Sequence, residues 1–396
     1  MPGPSHGGPA GIPYPDADLL HIVRLLPPLE QARYADIRNY LQSTVRPASI
    51  GYWNREEFPR DVVAGMGARG LGELQLDGSS ALFKGLMYVE LARADVSLSA
   101  LAGIHNELIV GTIHELGSDE QKRRWLPGLR TFAQLGAFAL TEPAHGSDIS
   151  RGLETTARRD GGEWVLNGTK RWIGNGTIAD VALVWARDTA DGHLKCFLVE
   201  TDRPGYSAAR IEHKIGLRIM QNADIRLEDV RLPEANLLPG ASSFASANAL
   251  LRDSRAWVGW QAAGIQFAAF DVARSYTLDR RQFGRELAGF QLVQQQLADI
   301  LGNAAASLAL MVQLARLQED GLLEMVQAAM AKATTTRLAR ASVAMGRSLL
   351  GGNGITSDHT MAKLFADAEI LYTYEGTYEI NSLLVGRAVT GIQAFT

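Results

Sequence analysis

Two stretches of this sequence bring chemically capable side chains together. One is Leu371-Tyr372-Thr373-Tyr374-Glu375-Gly376-Thr377-Tyr378-Glu379-Ile380, where the carboxylate of Glu375 sits among aromatic residues and precedes Gly376 and Thr377. Removing solvent from a carboxylate strengthens it as a base, so Glu375 is a candidate proton acceptor. The plainer reading is that Glu375 ends a helix and Gly376 is a turn residue, and this stretch alone leaves both open. The other is Phe138-Ala139-Leu140-Thr141-Glu142-Pro143-Ala144-His145-Gly146-Ser147-Asp148. A strand that runs into a hydroxyl-rich loop shaped by Pro and Gly can offer backbone N–H groups and Ser147 to a phosphate or a cofactor, and an ordinary surface turn is the alternative.

The elements that must position these residues fall into three textures. After a Gly- and Pro-rich lead-in (1–18), residues 19–136 read as a helical domain, with Ser118-Asp119-Glu120-Gln121 as a capping box opening a helix that carries Trp125 and Leu126. Within it, Gly65-Met66-Gly67-Ala68-Arg69-Gly70 fits the dinucleotide pattern G-x-G-x-x-G, but only Val62-Val63 precedes it where a strand is required, so it is set aside. Residues 137–240 carry short β-type runs at Gly136–Leu140, Trp164–Leu166, Val181–Trp185, Cys196–Val199 and Ile225–Leu227. There, Asn167-Gly168 between Trp164–Leu166 and Lys170–Ile173 predicts a type I′ hairpin. Residues 241–396 return to long helices over Ala256–Asp279, Gln291–Asp320 and Leu322–Leu350, then Met361–Ile370 and a last one after Glu379. Gly321 and Gly351-Gly352-Asn353-Gly354 supply the breaks. The expected fold is α+β and multidomain: an N-terminal helical domain, a central β-barrel or sandwich, and a C-terminal four-helix bundle.

Composition narrows the function classes. A chain of 396 residues with 46% hydrophobic and 21% charged content is an ordinary soluble type, too long for a single core. A net charge of -4 gives no electrostatic case for nucleic acid or an anionic membrane. Cys196 is the only cysteine, which excludes an internal disulfide and fits a reducing compartment. Ile300–Ala315, the longest largely apolar stretch, contains Asn303, Ser307 and Gln313 and reads as a buried helix, too short for a membrane span. No signal core, transit pattern or peroxisomal ending is evident, and a bacterial-type cytoplasmic location is expected. His105, His114 and Glu115 lack a metal-ligand pattern and read as helix residues, so no metal is expected.

The loop after Phe138 resembles the T-E-P-x-x-G-S-D segment of the acyl-CoA dehydrogenase family. Three further blocks follow in family order: Lys170-Arg171-Trp172-Ile173-Gly174-Asn175 resembles K-x-W-I-T-N, Arg280-Arg281-Gln282-Phe283-Gly284 resembles R-x-x-F-G, and Tyr374-Glu375-Gly376-Thr377 resembles Y-E-G-T. Within the family, glutaryl-CoA dehydrogenases resemble the ending Gly386–Phe395, while plant-type short-chain acyl-CoA oxidases resemble Trp172–Asn175 and Lys214–Arg218 with Gln221-Asn222. The resemblance implies FAD, held by Phe138, Leu140, Thr141, Gly146, Ser147, Trp172, Ile173 and Gly174, with Thr377 and Glu379 also touching it. It implies that Arg280 clamps the pyrophosphate of the FAD held by a neighbouring subunit, that Gln282 and Phe283 also bind the cofactor, and that Gln291, Ser348, Gly351 and Gly352 line the adenine end. Arg252, Arg255, Ser147, Tyr374 and Gly376 would bind the acyl-CoA, Gly376 leaving room for the thioester. Glu375 would be the base that removes the α-proton as the β-hydrogen leaves as hydride. Its own backbone N–H would help polarise the thioester carbonyl. Ser254 stands where some members carry the base instead.

The same resemblance implies at least a dimer, and a tetramer built from the C-terminal bundles, with electrons passing to an electron-transfer flavoprotein. It places the chain in fatty acid or amino acid catabolism. Two departures bear on the chemistry. Gly174 replaces the usual Thr near flavin N5, which is expected to open space there and makes an oxidase that reduces O2 the alternative. Ser99 stands where glutaryl-CoA dehydrogenases carry an Arg for the distal carboxylate, so a short, neutral acyl chain is expected. Ser348, where Gln is common, touches only the adenine contact. A non-catalytic binding or assembly factor would not need Glu375, and a nitroalkane oxidase would carry Asp there.

Overall fold

The computed structural model describes residues 18–393, so the lead-in at 1–17 and the terminal Ala394–Thr396 lie outside the described residues. The first helices are α1 (Pro28–Tyr40), α2 (Arg46–Arg55), α3 (Arg60–Gly67), α4 (Ala81–Ala94), α5 (Val96–Gly103), α6 (Gly111–Leu116) and α7 (Asp119–Arg130). The capping box that opens α7 forms: the Gln121 N–H donates to Ser118 Oγ at 3.2 Å and the Ser118 N–H donates to Gln121 Oε1 at 2.9 Å. The G-x-G-x-x-G stretch lies in α3 and the turn after it, and among the described residues no strand precedes it.

The middle region is a seven-stranded curled sheet. Its strands are β1 (Gly136–Ala139), β2 (Thr156–Asp160), β3 (Glu163–Ile173), β4 (Val181–Asp188), β5 (Leu194–Glu200), β6 (Tyr206–Arg210) and β7 (Ala223–Pro233), with a one-turn helix α8 (Ile149–Gly152) between β1 and β2. The order is β1-β4-β2-β3-β7-β6, with β5 also on β4. β4 is central and almost wholly buried, as its Val-Ala-Leu-Val-Trp-Ala run requires. β2 and β6 escape a hydrophobicity scan because one is charge-rich and the other is an edge strand, half-exposed along its length.

The hairpin expected at Asn167-Gly168 does not form. Trp164–Leu166 and Lys170–Ile173 are two halves of the single strand β3, and the register against β7 shifts between Leu166 and Gly168. The pair is a β-bulge. Asn167 Nδ2 donates to Asp229 Oδ1 at 2.9 Å and Asn167 Oδ1 accepts the Asp229 N–H at 2.8 Å, which holds the bulge against β7 instead of letting the chain reverse. The reversal occurs at Gly161-Gly162, between β2 and β3.

The C-terminal helices are α9 (Phe244–Asp279), α10 (Gln291–Glu319), α11 (Met325–Leu349), α12 (Met361–Thr373) and α13 (Tyr378–Thr390), with a two-residue hairpin ladder at Arg281–Glu286 between α9 and α10. The bundle does not keep a core of its own. Phe83, Met87 and Tyr88 of α4 pack in one cluster with Trp257 and Trp260 of α9, Met311 of α10 and Leu371 of α12. The N-terminal helices and the bundle therefore pack as one body. A second cluster joins Leu108, Ile109 and Trp125 to the sheet residues Phe138, Leu183 and Trp185.

By length and composition alone, two helical stretches among the described residues could cross a bilayer, Val96–Leu116 and Gln291–Glu319, the second of which contains the shorter apolar run Ile300–Ala315. The first is 83% buried, as a core helix should be, whereas the second is only 39% buried.

Candidate active site

Glu375 lies in the turn between α12 and α13. Glu375 and Gly376 both adopt the left-handed region, with φ of 54° and 78°. Such a conformation at a non-glycine residue costs on the order of 1–3 kcal/mol and persists only where its surroundings impose it. Here they do. Asn381 Nδ2 donates to the carbonyls of Gly376 at 2.8 Å and Thr377 at 3.0 Å. Thr377 caps α13 by accepting the Ile380 N–H at 3.2 Å. The Lys332 ammonium, from α11, also donates to the Gly376 carbonyl. Arg255 of α9 donates through Nε to Asn381 Oδ1 at 3.1 Å, so it orients the side chain that orients the turn.

Gly376 has a reason beyond room for a thioester. A Cβ there would sit 3.2 Å from Asn381 Nδ2 and 3.3 Å from an Arg255 guanidinium nitrogen, on a backbone that L residues rarely adopt.

The aromatic surroundings of Glu375 are ordered by one polar chain. The Tyr374 hydroxyl donates to Gln261 Oε1, Gln261 Nε2 to Ser99 Oγ at 3.0 Å, and Ser99 Oγ to the Tyr88 carbonyl at 3.1 Å. The Tyr374 ring meets Trp257 edge-on at 5.7 Å. Burial and the charge of Glu375 push the Tyr374 hydroxyl well above its ordinary range. Two cations face the turn. Burial pulls Lys332 down to about 7 against the opposing pull of Glu375, and it lowers the Arg255 guanidinium against the same carboxylate. Arg252 lies one helical turn before Arg255, and Ser254 turns inward to donate to the Leu251 carbonyl at 2.9 Å. Glu379 is exposed in the first turn of α13.

The loop after β1 is clamped to β3 by a buried ion pair that motif reading did not single out. Lys170 Nζ reaches Glu142 Oε1 at 2.8 Å and the Leu140 carbonyl at 3.0 Å. Glu142 also accepts the N–H groups of Glu154 at 2.7 Å and Thr155 at 2.9 Å. Burial alone would push Glu142 up, but Lys170 and the Thr155 hydroxyl hold it below the usual carboxylate range, while burial brings Lys170 down to about 8. The Thr141 hydroxyl donates to the Arg171 carbonyl at 2.6 Å. Held in this way, the loop leaves Gly146 and Ser147 exposed, and Trp172 stands out from the strand end at 55% exposure with φ of 67°. The side chains of Phe138, Leu140 and Ile173 point into the sheet cores, so only their backbones can face a ligand.

The space beside Gly174 is not open. A Cβ there would lie 3.2 Å from both Ile104 Cδ1 and Met220 Cε, because Ile104 begins a π-helical stretch, Ile104–Val110, and Met220 leans in from the loop before β7. The two side chains fill the room that the missing Thr was expected to vacate.

The remaining candidates form a second cluster. Arg280 ends α9 and, with Arg46, Tyr276, Asp279, Asn353 and His359, lines a cleft of about 510 Å³. Asn353 Nδ2 donates to the Tyr276 hydroxyl at 2.9 Å. Gly351 and Gly352 lie exposed at the rim beside Asn353, Ser348 is exposed near the end of α11, Gln282 and Phe283 are exposed between α9 and α10, and Gln291 is exposed at the start of α10. Arg255 and Arg280 are 25 residues apart on one helix, about 37 Å at the α-helical rise.

The residues present suit flavin dinucleotides: an exposed indole for ring stacking and an exposed Ser147 hydroxyl by the loop after β1, and at Arg280 a guanidinium lining a separate cleft. Asn175, next to Gly174, is buried with neither side-chain polar atom bonded, as a side chain waiting for a ligand or solvent partner would be. Sequence reading missed Lys332 and Asn381, and it gave Lys170 and Glu142 no role of their own although both stand in the quoted motifs. The signal for Lys332 was a lone lysine in the Ala- and Thr-rich buried stripe of α11.

The chain matches the acyl-CoA dehydrogenase N-terminal domain over residues 28–132, the middle domain over 137–230 and the C-terminal domain over 244–390. It is 32% identical over 365 residues to an acyl-CoA dehydrogenase of Bacillus subtilis (strain 168), covering 90% of this chain and 96% of that one. It is 33% identical over 371 residues to the mitochondrial short-chain specific acyl-CoA dehydrogenase of Bos taurus, covering 91% of this chain and 90% of that one. A glutaryl-CoA dehydrogenase from Mycobacterium smegmatis in complex with FADH2 superimposes with a TM-score of 0.92 at 33% identity, covering 96% of this chain and 99% of that one. A clamped loop, an exposed indole and a braced carboxylate thus meet in a chain that belongs to the acyl-CoA dehydrogenase family, FAD-dependent oxidoreductases acting on the CH–CH bond of acyl-CoA thioesters.

Proposed function

We propose that this chain dehydrogenates a short, neutral acyl-CoA to the trans-2-enoyl-CoA, with Glu375 as the base. The observation that carries the reading is the strained turn, which four side chains brace to aim one carboxylate. FAD, when bound, supplies the acceptor for the β-hydride. Glu375 takes the α-proton. Among the described residues nothing accepts the Glu375 N–H, so it is free to donate to the thioester oxygen and acidify the α-carbon. Arg255 and Arg252 offer cations to the CoA phosphates.

Ser99 supports a neutral acyl chain. It is fully buried, and its hydroxyl is committed to Gln261 and the Tyr88 carbonyl, a neutral chain with no cation for a second carboxylate. Burying an unpaired carboxylate costs several kcal/mol, so glutaryl-CoA is expected to bleach the flavin roughly 10²-fold more slowly than butyryl-CoA. Anaerobic stopped-flow absorbance of the holoenzyme reads both, and equal rates would refute the neutral-chain reading. Readmitting air in the same instrument tests the oxidase alternative. The filled space at Gly174 favours slow reoxidation and transfer to an electron-transfer flavoprotein.

We further propose that the working unit contains more than one copy. No single cofactor bridges two clusters about 37 Å apart along α9, so the Arg280 cleft suits the cofactor of another subunit. Phe283 at 94% and Leu292 at 73% exposure, on and beside the thinly covered α10, are the apolar surface such an assembly would bury. Light scattering of the holoenzyme is expected to give the mass of a tetramer, and a monomer mass would contradict this assignment.

A further inference from the structure

Three lysines in this chain are essentially fully buried: Lys170, Lys332 and Lys363. Two have carboxylate partners. Lys170 pairs with Glu142 at 2.8 Å, and Lys363 pairs with Asp95 at 3.0 Å and Asp367 at 2.8 Å. Among the described residues Lys332 has no carboxylate within ion-pair distance, and the acceptor it reaches is the carbonyl of Gly376. Burying an ammonium without a counter-ion is costly, and α11 could fill the position with an apolar residue, as it does at Ala328, Ala329, Ala331 and Ala339. The cost is borne at the residue next to the proposed base.

The charged groups that face Lys332 come from each element packed around it: Glu375 in the turn, Glu379 on α13 and Arg255 on α9. Without the ammonium, the Gly376 carbonyl keeps only Asn381 as donor. With one of its two donors gone the Gly376 carbonyl is held less tightly, and the left-handed Glu375 can relax toward an ordinary conformation. Such relaxation re-aims both groups that Glu375 contributes, its carboxylate and its N–H.

We propose that Lys332 is a positioning residue for the dehydrogenation. By donating to the Gly376 carbonyl, it holds Glu375 in the left-handed conformation that aims the carboxylate at the substrate α-carbon. The proposal rests on Glu375 being the base, and it concerns proton removal alone, separately from hydride transfer.

The test measures exchange of the α-hydrogens of butyryl-CoA with D2O, followed by mass spectrometry, on holoenzyme whose flavin has been reduced beforehand so that no hydride can leave. Melting temperature and FAD content are measured on the same samples. K332M, which keeps the length and loses the donor, is expected to slow exchange by roughly 10²-fold, the cost typical of a reacting group displaced by about 1 Å. Its KM for butyryl-CoA in turnover should stay near the wild-type value, since the CoA contacts are untouched. K332R, which keeps both charge and donor, is expected to recover most of the exchange. E375Q is the control for the base and should not exchange. If E375Q is inert while K332M exchanges like the wild type, the role of Lys332 is overturned and the base stands. If E375Q exchanges like the wild type, the base assignment falls and this proposal falls with it. A stable K332R as slow as K332M would also overturn the proposal. Should K332M yield no soluble flavoprotein, K332Q decides the question: its side chain is too short to bridge to Gly376, so the same loss is expected, and wild-type exchange refutes it.

Discussion

Glu375→Gln is expected to lower turnover of butyryl-CoA by about 10²–10⁴-fold, the range typical for loss of one well-placed acid–base group. The substitution keeps size and shape and removes only the proton acceptor. The braces on the turn act on backbone carbonyls and on Thr377, none of them on the Glu375 carboxylate, so the turn should survive. The FAD content and the melting temperature should therefore match the wild type, and the loss should fall on kcat with KM little changed. Steady-state kinetics with a flavin-directed electron acceptor measures it. The alternative base position cannot substitute: it is Ser254, whose hydroxyl donates to the Leu251 carbonyl, while Glu379, in the first turn of α13, is exposed to solvent. Turnover within tenfold of wild type would show that Glu375 is a structural residue, as the plainer reading of its stretch holds.

Lys363→Met is expected to cost the protein about 3–5 kcal/mol, the penalty for breaking a buried ion pair by removing one partner. Lys363 is 1% exposed and sits between Asp95 and Asp367, both fully buried. Asp367 also accepts Trp53 Nε1 at 3.1 Å and the Leu217 N–H at 2.7 Å, and Asp95 accepts the Leu98 N–H at 2.8 Å and the Ser49 hydroxyl. One ammonium thus bridges two carboxylates at a junction where α2, the start of α5, the loop before β7 and α12 meet. Although burial pulls Lys363 down, Asp367 and Asp95 hold it well above its ordinary range. With a raised folded value, its stabilisation is complete at neutral pH and is lost only in strong alkali. α12 leads directly into the turn at Glu375, so K363M should loosen the site as well as the fold. Urea denaturation should show the drop in midpoint, accompanied by loss of FAD on dialysis. A shift worth under about 1 kcal/mol would mean that the two carboxylates find other partners or water.

Much of the fold was legible before the structure. Helical periodicity in the first and last thirds and short β runs between them are local signals, and the capping box at Ser118–Gln121 depends on residues three apart. The errors have physical causes of a different range. Asn167-Gly168 has hairpin chemistry, but its bulge is imposed by Asp229 across the sheet, 62 positions along the chain. Gly174 suggested empty space, and the filling comes from Ile104 and Met220, from elements on either side of it in sequence.

What the sequence by itself determined was the inventory of reactive groups and their local order: a carboxylate before Gly and Thr, a hydroxyl-bearing loop, an Arg at a helix end. These motifs persist because short-range geometry around a cofactor or a thioester tolerates few residue types. What only the tertiary structure decided was how those groups are aimed. Lys332 reaches Gly376 across 44 residues, Arg255 reaches Asn381 across 126, and Gln261 reaches Ser99 across 162. Each is a long-range polar contact made by a side chain that looks like an ordinary helix residue in isolation. A buried charge or amide is stable only when its partner is in place, and packing alone chooses that partner.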